Sequence, residues 1–110
     1  MPAEIIELTA DSFDADVLER SHETPVLVDF WAPWCGPCKA MGPFVDKLAE
    51  DMGDKLKVVK LNTQDNPEVP AKYGIVSIPT FIVVKGGEVL NQVMGAQPYD
   101  SLKAAVEPHV

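Results

Sequence analysis

The sequence predicts an α/β fold in which a central mixed sheet of about five strands is flanked by four helices. Two observations support this prediction. Short apolar runs first alternate with stretches of helical periodicity, a pattern typical of parallel β-α-β units. Two later apolar runs then meet across Gly86-Gly87, a pair typical of an antiparallel hairpin. A sheet with both arrangements must be mixed.

The first half of the chain indicates three strands separated by two helices. We expect strands at residues 5–8, 26–31 and 58–61. Residues 9–12 offer capping groups to a first helix, on which Phe13, Val17 and Leu18 follow at helical spacing. The second helix follows Cys38, ends at Gly53 and carries Pro43, where we expect a kink. Its apolar stripe consists of Met41, Phe44, Val45, Leu48 and Met52.

The second half indicates a short helix, the hairpin and a last helix. Asn66 and Pro67 are typical of a cap followed by a first-turn proline, and the short helix should stop near Gly74. The hairpin strands are expected at residues 80–84 and 89–94. The last helix opens at Pro98, and its inward residues are Leu102, Ala105 and Val106. Residues 1–110 are expected to form one domain.

Composition narrows the classes of partner. The 110 residues carry a formal net charge of -8, which disfavours nucleic acids and anionic membranes. No apolar stretch approaches the ~18 residues of a membrane span. The first residues lack the basic region and the apolar run of a signal peptide, so we expect a cytoplasmic location. A persistent structural disulfide is not expected there.

The only two cysteines lie in the motif Trp34-Cys35-Gly36-Pro37-Cys38, and a metal site is one interpretation. Structural zinc needs four protein ligands, usually as two pairs. The only histidines are His22 and His109, and their spacing fits no compact site within one chain. A site shared between two chains stays open. A haem attachment motif would need histidine, not Lys39, after the second cysteine.

A redox pair fits the placement better. The motif stands where an apolar strand leads into a long helix, so Cys35 should lie at or just before the helix N-terminus. Unpaired N–H groups and the positive end of the helix dipole favour a thiolate there, and the thiolate is the nucleophile. Cys38, one turn further, could then resolve a mixed disulfide.

Longer stretches extend this interpretation over nearly the whole chain. Four stretches follow one another in order: VDFWAPWCGPCK (residues 28–39), KLNTQDNP (60–67), YGIVSIPTF (73–81) and the glycine of VMGA. In these motifs and their spacing the sequence resembles the thioredoxin family. The resemblance implies the thioredoxin fold and a protein-disulfide reductase without a bound cofactor. It also implies a thioredoxin reductase and disulfide-bearing proteins as partners, and a monomer.

The resemblance assigns roles to individual residues. Cys35 matches the nucleophile and Cys38 the resolving thiol, while Asp29 matches a buried carboxylate and Lys60 its lysine partner. Pro79 matches a proline that follows a cis peptide bond and faces the disulfide. Gly36 and Pro37 are expected to tune the redox potential. The substrate-binding surface would comprise Trp34, Ile78, Gly95 and Ala96.

The residues alone leave the roles of Asp29 and Lys60 open. A carboxylate in an apolar strand can be a base with a raised pKa, or it can be tied to backbone N–H groups in a structural role. Lys60 alternates with Val59 and Leu61, so it could point to solvent or tune Asp29. We favour function for Asp29 because of the resemblance.

Two other functions stay open on the sequence. An oxidase or isomerase would share the fold and differ in the stability of the Cys35 thiolate; Gly36 and Pro37 resemble the reducing members. A non-enzymatic binding subunit would use the apolar surface around Trp34 and Pro79. The leading prediction is reduction of protein disulfides through Cys35 and Cys38.

Overall fold

A computed structural model describes residues 5–110, and its chain forms a five-stranded sheet with helices on both faces. The strands are β1 (Ile6–Leu8), β2 (Val26–Trp31), β3 (Lys57–Asn62), β4 (Thr80–Lys85) and β5 (Glu88–Met94). The α-helices are α1 (Gly36–Met52), α2 (Glu68–Lys72) and α3 (Tyr99–Val106). A further helical segment, residues 10–22, joins β1 to β2.

The predicted mixed sheet is confirmed. Its spatial order is β1-β3-β2-β4-β5. β3 runs parallel to both β1 and β2, whereas β4 is antiparallel to β2 and β5 is antiparallel to β4. β5, which forms one edge, is irregular: Val83 pairs with Asn91 and Val84 with Val89, so Leu90 is the extra residue of a bulge.

The sheet is covered by a separate apolar cluster on each face. β2 is apolar apart from Asp29 because both of its faces are covered. Leu27 packs with α1 and α3, whereas Val26 and Val28 pack with the helical segment and α2. Because side chains alternate along a strand, Asp29 points to the same face as Leu27. The sheet thus turns the single carboxylate of β2 toward α1.

The helical segment is less regular than predicted. Three short turns of different pitch follow one another, a 3-10 turn at Ala10–Ser12, a π turn at Asp14–Glu19 and a 3-10 turn at Arg20–His22. Phe13 and Val17 are nevertheless buried and Leu18 packs against the same cluster, so the three residues given helical spacing still face the core.

A buried serine ties the end of this segment to the β4–β5 hairpin. The hydroxyl of Ser21 donates to the carbonyl of Leu18 at 2.7 Å and accepts from the N–H of Gly87 at 2.8 Å. The Ser21 carbonyl accepts from the N–H of Gly86 at 2.9 Å. Gly86 and Gly87 have φ of 62° and 80°, a conformation that side chains other than glycine rarely adopt.

Two local predictions are wrong. Asn66 does not cap α2, whose N-cap is Pro67. The side chain of Asn66 instead accepts a hydrogen bond from the N–H of Ala10 at 2.9 Å and donates one to the carbonyl of Asn62. Phe44 is 37% exposed rather than buried, and the centroid of its ring lies 6.5 Å from that of Tyr99.

Candidate active site

The cysteine pair lies where the sequence places it, between β2 and α1. Cys35 is the N-cap of α1, and its Sγ accepts the backbone N–H of Cys38 at 3.2 Å. Pro37 occupies the first turn, where a missing N–H leaves no hydrogen bond unmade. A disulfide joins Cys35 to Cys38 across a Cα–Cα distance of 5.3 Å, so the structure shows the oxidised form.

Helix geometry favours a thiolate at Cys35 in the reduced form. The cap position faces the unpaired N–H groups and the positive end of the helix dipole, and both stabilise negative charge. Burial does not distinguish the two cysteines, which are 4% and 7% exposed. Their difference lies in position: Cys35 is at the helix terminus, and Cys38 is one turn inside it.

Apolar and backbone groups surround the pair. Ile78 packs against the cluster formed by Ala32, Cys35 and Cys38, and the Ile78–Pro79 peptide bond is cis. The N–H of Gly95 donates to the carbonyl of Pro79 at 2.8 Å and so joins the loop after β5 to the cis-proline loop. Trp34 is 70% exposed beside Cys35, and Ala96 is exposed after Gly95. The predicted surface residues are thus brought together.

An apolar groove of about 320 Å³ adjoins Trp34. Its lining comprises Trp34, Thr63, Pro67, Pro70, Ala71, Ile75, Val76, Ser77 and Ile78. Sequence reasoning missed Val76, which is 90% exposed and therefore free to contact a partner. A signal was present: Val76 is an apolar residue in the irregular stretch between Gly74 and Pro79, outside any predicted strand or helix.

A second cavity, of about 250 Å³, lies behind the disulfide. It is lined by Asp29, Trp31, Cys38, Lys39, Gly42 and Lys60. Lys60 stands directly opposite Asp29 in the pairing of β3 with β2, so it lines the site rather than pointing away from it. The structure therefore brings Asp29, Lys60 and Cys38 to one cavity.

Asp29 is held in an environment that favours its protonated form. Its side chain is 3% exposed, and Oδ1 has no hydrogen-bond partner, so it is not tied to backbone N–H groups through that oxygen. Burial raises its pKa from 3.8 to about 7, while the charge of Lys60 lowers it and that of Glu7 raises it. A carboxyl with this pKa can accept and return a proton near neutral pH.

Metal-ligating side chains are dispersed. Within residues 5–110, no three His, Cys, Asp or Glu side chains come together in a group that could hold a metal ion. In the same part of the chain, every helix is too short or too polar to cross a membrane.

Comparison with known proteins extends these observations. The thioredoxin family model matches residues 4–108. Thioredoxin 1 of Nostoc sp. is 47% identical over 104 residues, covering 94% of this chain and 95% of the relative. The thioredoxin of Bacillus subtilis is 45% identical, covering 96% of this chain and 98% of the relative. The chain belongs to the thioredoxin family.

The family determines the class of reaction. Thioredoxins are thiol–disulfide oxidoreductases that reduce protein disulfides, and this chain has their active-site pair at Cys35 and Cys38. The pair itself is the redox centre, so thioredoxins need no external cofactor. Membership implies, in general terms, a reductase and protein substrates as partners. A further relative, the chloroplastic M-type thioredoxin of Chlamydomonas reinhardtii, is 49% identical and covers 98% of this chain and 76% of the relative.

Proposed function

We propose that Cys35 attacks the disulfide of a target protein, that Cys38 resolves the resulting mixed disulfide, and that Asp29 is the base for Cys38. The observation that carries this assignment is the division of positions at the site: Cys35 caps α1, whereas Cys38 shares a cavity with Asp29. The helix terminus favours the thiolate that starts the reaction. The buried carboxyl supplies a proton acceptor where the second thiolate must form.

The two steps balance in atoms and electrons. The Cys35 thiolate forms a bond to one sulfur of the target disulfide, and the other target sulfur leaves as a thiolate. The Cys38 thiol then passes its proton to Asp29, and its sulfur bonds to Cys35 Sγ. That bond displaces the remaining target thiolate. The target gains two electrons, and the Cys35–Cys38 pair loses two.

The remaining site residues bind the target or tune the pair. An extended target segment would bind at Trp34, Ile78, Gly95 and Ala96. Pro79 would position this segment against Cys35. The linked loops at Pro79 and Gly95 support this role, as does the exposure of Trp34. Gly36 and Pro37, the residues between the cysteines, would tune the reduction potential. Lys60 would adjust the proton affinity of Asp29, as its position opposite Asp29 suggests.

The cellular setting follows from this chemistry. We infer that a thioredoxin reductase returns electrons to the pair, since no dinucleotide-binding fingerprint occurs in the sequence. The cytoplasm is the proposed location, because thiols there are kept reduced. One domain is proposed, supported by the single sheet of residues 5–110 and by a family match that spans residues 4–108. A monomer is proposed on the resemblance to the family. The charge of -8 argues against nucleic-acid and membrane partners.

Trapping the mixed disulfide tests the roles of the two cysteines. Reduced Cys38→Ser and Cys35→Ser variants are mixed with insulin as a disulfide-bonded target, and adducts are counted by mass spectrometry. We expect a stable adduct with Cys38→Ser and essentially none with Cys35→Ser, and the double variant is the blank. Equal adduct formation by the two single variants would overturn the assignment of Cys35 as nucleophile.

A further inference from the structure

Three charged residues form a row across neighbouring strands. Glu7 of β1 is in register with Lys60 of β3, and Lys60 is in register with Asp29 of β2. Residues in register on parallel strands point to the same face of a sheet, so all three side chains lie on the α1 side. Adjacent strands are about 4.8 Å apart, so the Cα atoms of Glu7 and Asp29 are separated by roughly 10 Å.

A hydrogen bond directs the carboxylate of Glu7 toward the redox site. Glu7 Oε2 accepts from Nε1–H of Trp31 at 3.1 Å. Trp31 follows Asp29 by two residues on β2 and lines the same cavity as Asp29 and Cys38. The exposed Glu7 side chain therefore reaches across β3 and is held at the border of this cavity.

We propose that Glu7 is a positioning residue of the redox site, whose carboxylate, held on Trp31, competes with Asp29 for the charge of Lys60. The proposal deepens the function given above and rests on it only where Asp29 is taken as the base for Cys38. When two carboxylates share one ammonium, the ammonium stabilises the negative charge of each carboxylate less than it would stabilise that of a single partner.

The charges around Asp29 give the direction of the effect. Lys60 faces Asp29 from β3, and Lys39 lines the cavity from α1. β4 places the apolar Phe81 opposite Asp29, so no charge comes from that side. Glu7 adds a like charge, which favours the protonated form of Asp29 and raises its pKa. Because Glu7 is exposed, salt should weaken its effect.

Direct titration of Asp29 tests the proposal. The side-chain carboxyl of Asp29 is followed by carbon-13 NMR against pH in the oxidised protein at low salt. Glu7→Gln keeps an oxygen that can accept from Trp31 but removes the charge. We expect the Asp29 midpoint to move to lower pH in Glu7→Gln, and no comparable change in Glu50→Gln, which loses the same charge on the solvent side of α1.

Two further measurements separate charge from structure. Glu7→Ala removes both the charge and the acceptor, so it should lower the midpoint as Glu7→Gln does. Raising the salt to about 1 M, where the screening length is about 3 Å, should shrink the difference between native protein and Glu7→Gln. A midpoint unchanged in Glu7→Gln, or changed only in Glu7→Ala, would overturn the proposal.

The rate at which Cys38 resolves the mixed disulfide separates the proposed role of Glu7 from the proposed role of Asp29 as base. The pH dependence of mixed-disulfide resolution is measured in native protein and Glu7→Gln. If Asp29 is the base, the midpoint of this profile moves down with the titration of Asp29. A shifted titration with an unshifted rate profile supports the role of Glu7 and rejects Asp29 as the base. An unshifted titration rejects the role of Glu7 whatever the rates show.

Discussion

Lys60 and Asp29 stand opposite each other on parallel strands, and both line the cavity that reaches Cys38. The pairing places a buried aspartate opposite a half-buried lysine. Burial keeps Asp29 protonated to about pH 7, and the lysine opposes that tendency. The balance between these two effects sets the pH at which Asp29 can accept a proton, which in the proposed mechanism comes from Cys38.

Removing the charge of Lys60 should shift the pH profile of the reaction upward. Lys60→Met keeps an unbranched side chain of similar length but takes away the charge that lowers the pKa of Asp29. Less Asp29 is then ionised at pH 7, so resolution of the mixed disulfide by Cys38 slows there and recovers at higher pH. Stopped-flow measurement of target reduction between pH 5 and 9 gives the midpoint.

Lys57→Met is the matched control for this prediction. Lys57 lies on the same strand, but its odd spacing from Lys60 turns it to the opposite face of the sheet. The control loses the same charge away from the cavity, so its midpoint should stay at the native value. A midpoint that is the same in native protein and Lys60→Met would remove Lys60 from the mechanism.

Neutralising Asp29 should stabilise the fold at and above neutral pH. The folded protein holds the Asp29 proton up to about pH 7, whereas the unfolded chain releases it near 3.8. The contribution of this group to stability is therefore complete below pH 3.8 and declines as the pH rises toward 7. At about 1.4 kcal/mol per pH unit, the loss amounts to roughly 4 kcal/mol at most.

Urea unfolding of oxidised Asp29→Asn at pH 4, 6 and 8 checks this prediction. The variant should exceed the native protein in free energy of unfolding at pH 8, and the difference should fade toward pH 4. Asp46→Asn, on the exposed side of α1, should show no such trend. A difference that is constant with pH would contradict the titration of Asp29 near neutrality.

A charge at Val76 should weaken target binding without altering the thiol chemistry. Val76 is 90% exposed on the apolar groove beside Trp34, and an apolar target side chain packed there would bury it. Burying a valine side chain contributes about 1.5 kcal/mol or more, so Val76→Asp should raise KM by about tenfold. Steady-state reduction of insulin gives KM and kcat separately.

The matched control is Val89→Asp, at the far end of β5 from the groove. Val89 is also exposed, at 41%, so the same change there should leave both constants near their native values. A fall in kcat with unchanged KM in Val76→Asp would show that the groove does not bind the target in the ground state.

Truncating Ser21 should lower stability and leave redox activity intact. Ser21→Ala deletes the hydrogen bond to Leu18 and leaves the N–H of Gly87 without its acceptor. Each of the two lost hydrogen bonds contributes about 0.5–1.5 kcal/mol, so the free energy of unfolding should fall by about 1–3 kcal/mol. Urea unfolding measures the loss, and Ser101→Ala on the exposed face of α3 should be nearly neutral. Equal stability of the two variants would argue against the serine link.

Periodicity and turn residues were sufficient to predict most of the fold. The apolar run at residues 26–31 predicted β2 to the residue, because a strand covered on both faces leaves little ambiguity. The Gly86-Gly87 pair located the hairpin, because glycine readily adopts the positive φ that both residues have in this turn. The pitch of the helical segment was not predictable, since Phe13 and Val17 are compatible with more than one helical geometry.

The parts of the candidate site that depend on local sequence were predicted. The part that depends on how distant strands pair was missed. The placement of Cys35 at the start of α1 follows from the strand–helix junction. Glu7 was missed because its proximity to Asp29 depends on the pairing of β1 with β3, a contact between distant parts of the chain. Each of the predicted strands 5–8, 26–31 and 58–61 is apolar apart from one charged residue, and that shared pattern was a usable signal for Glu7, Asp29 and Lys60.

The bulge at Leu90 bears on how this protein meets its targets. An enzyme that receives extended segments of other proteins risks pairing with them along any regular, unpaired strand. One outer strand, β1, offers only three residues, and the other, β5, is interrupted by the bulge. Irregular edges of this kind disfavour strand addition. If targets bind at the loops around Cys35 as proposed, their release after each turnover does not require a sheet to be pulled apart.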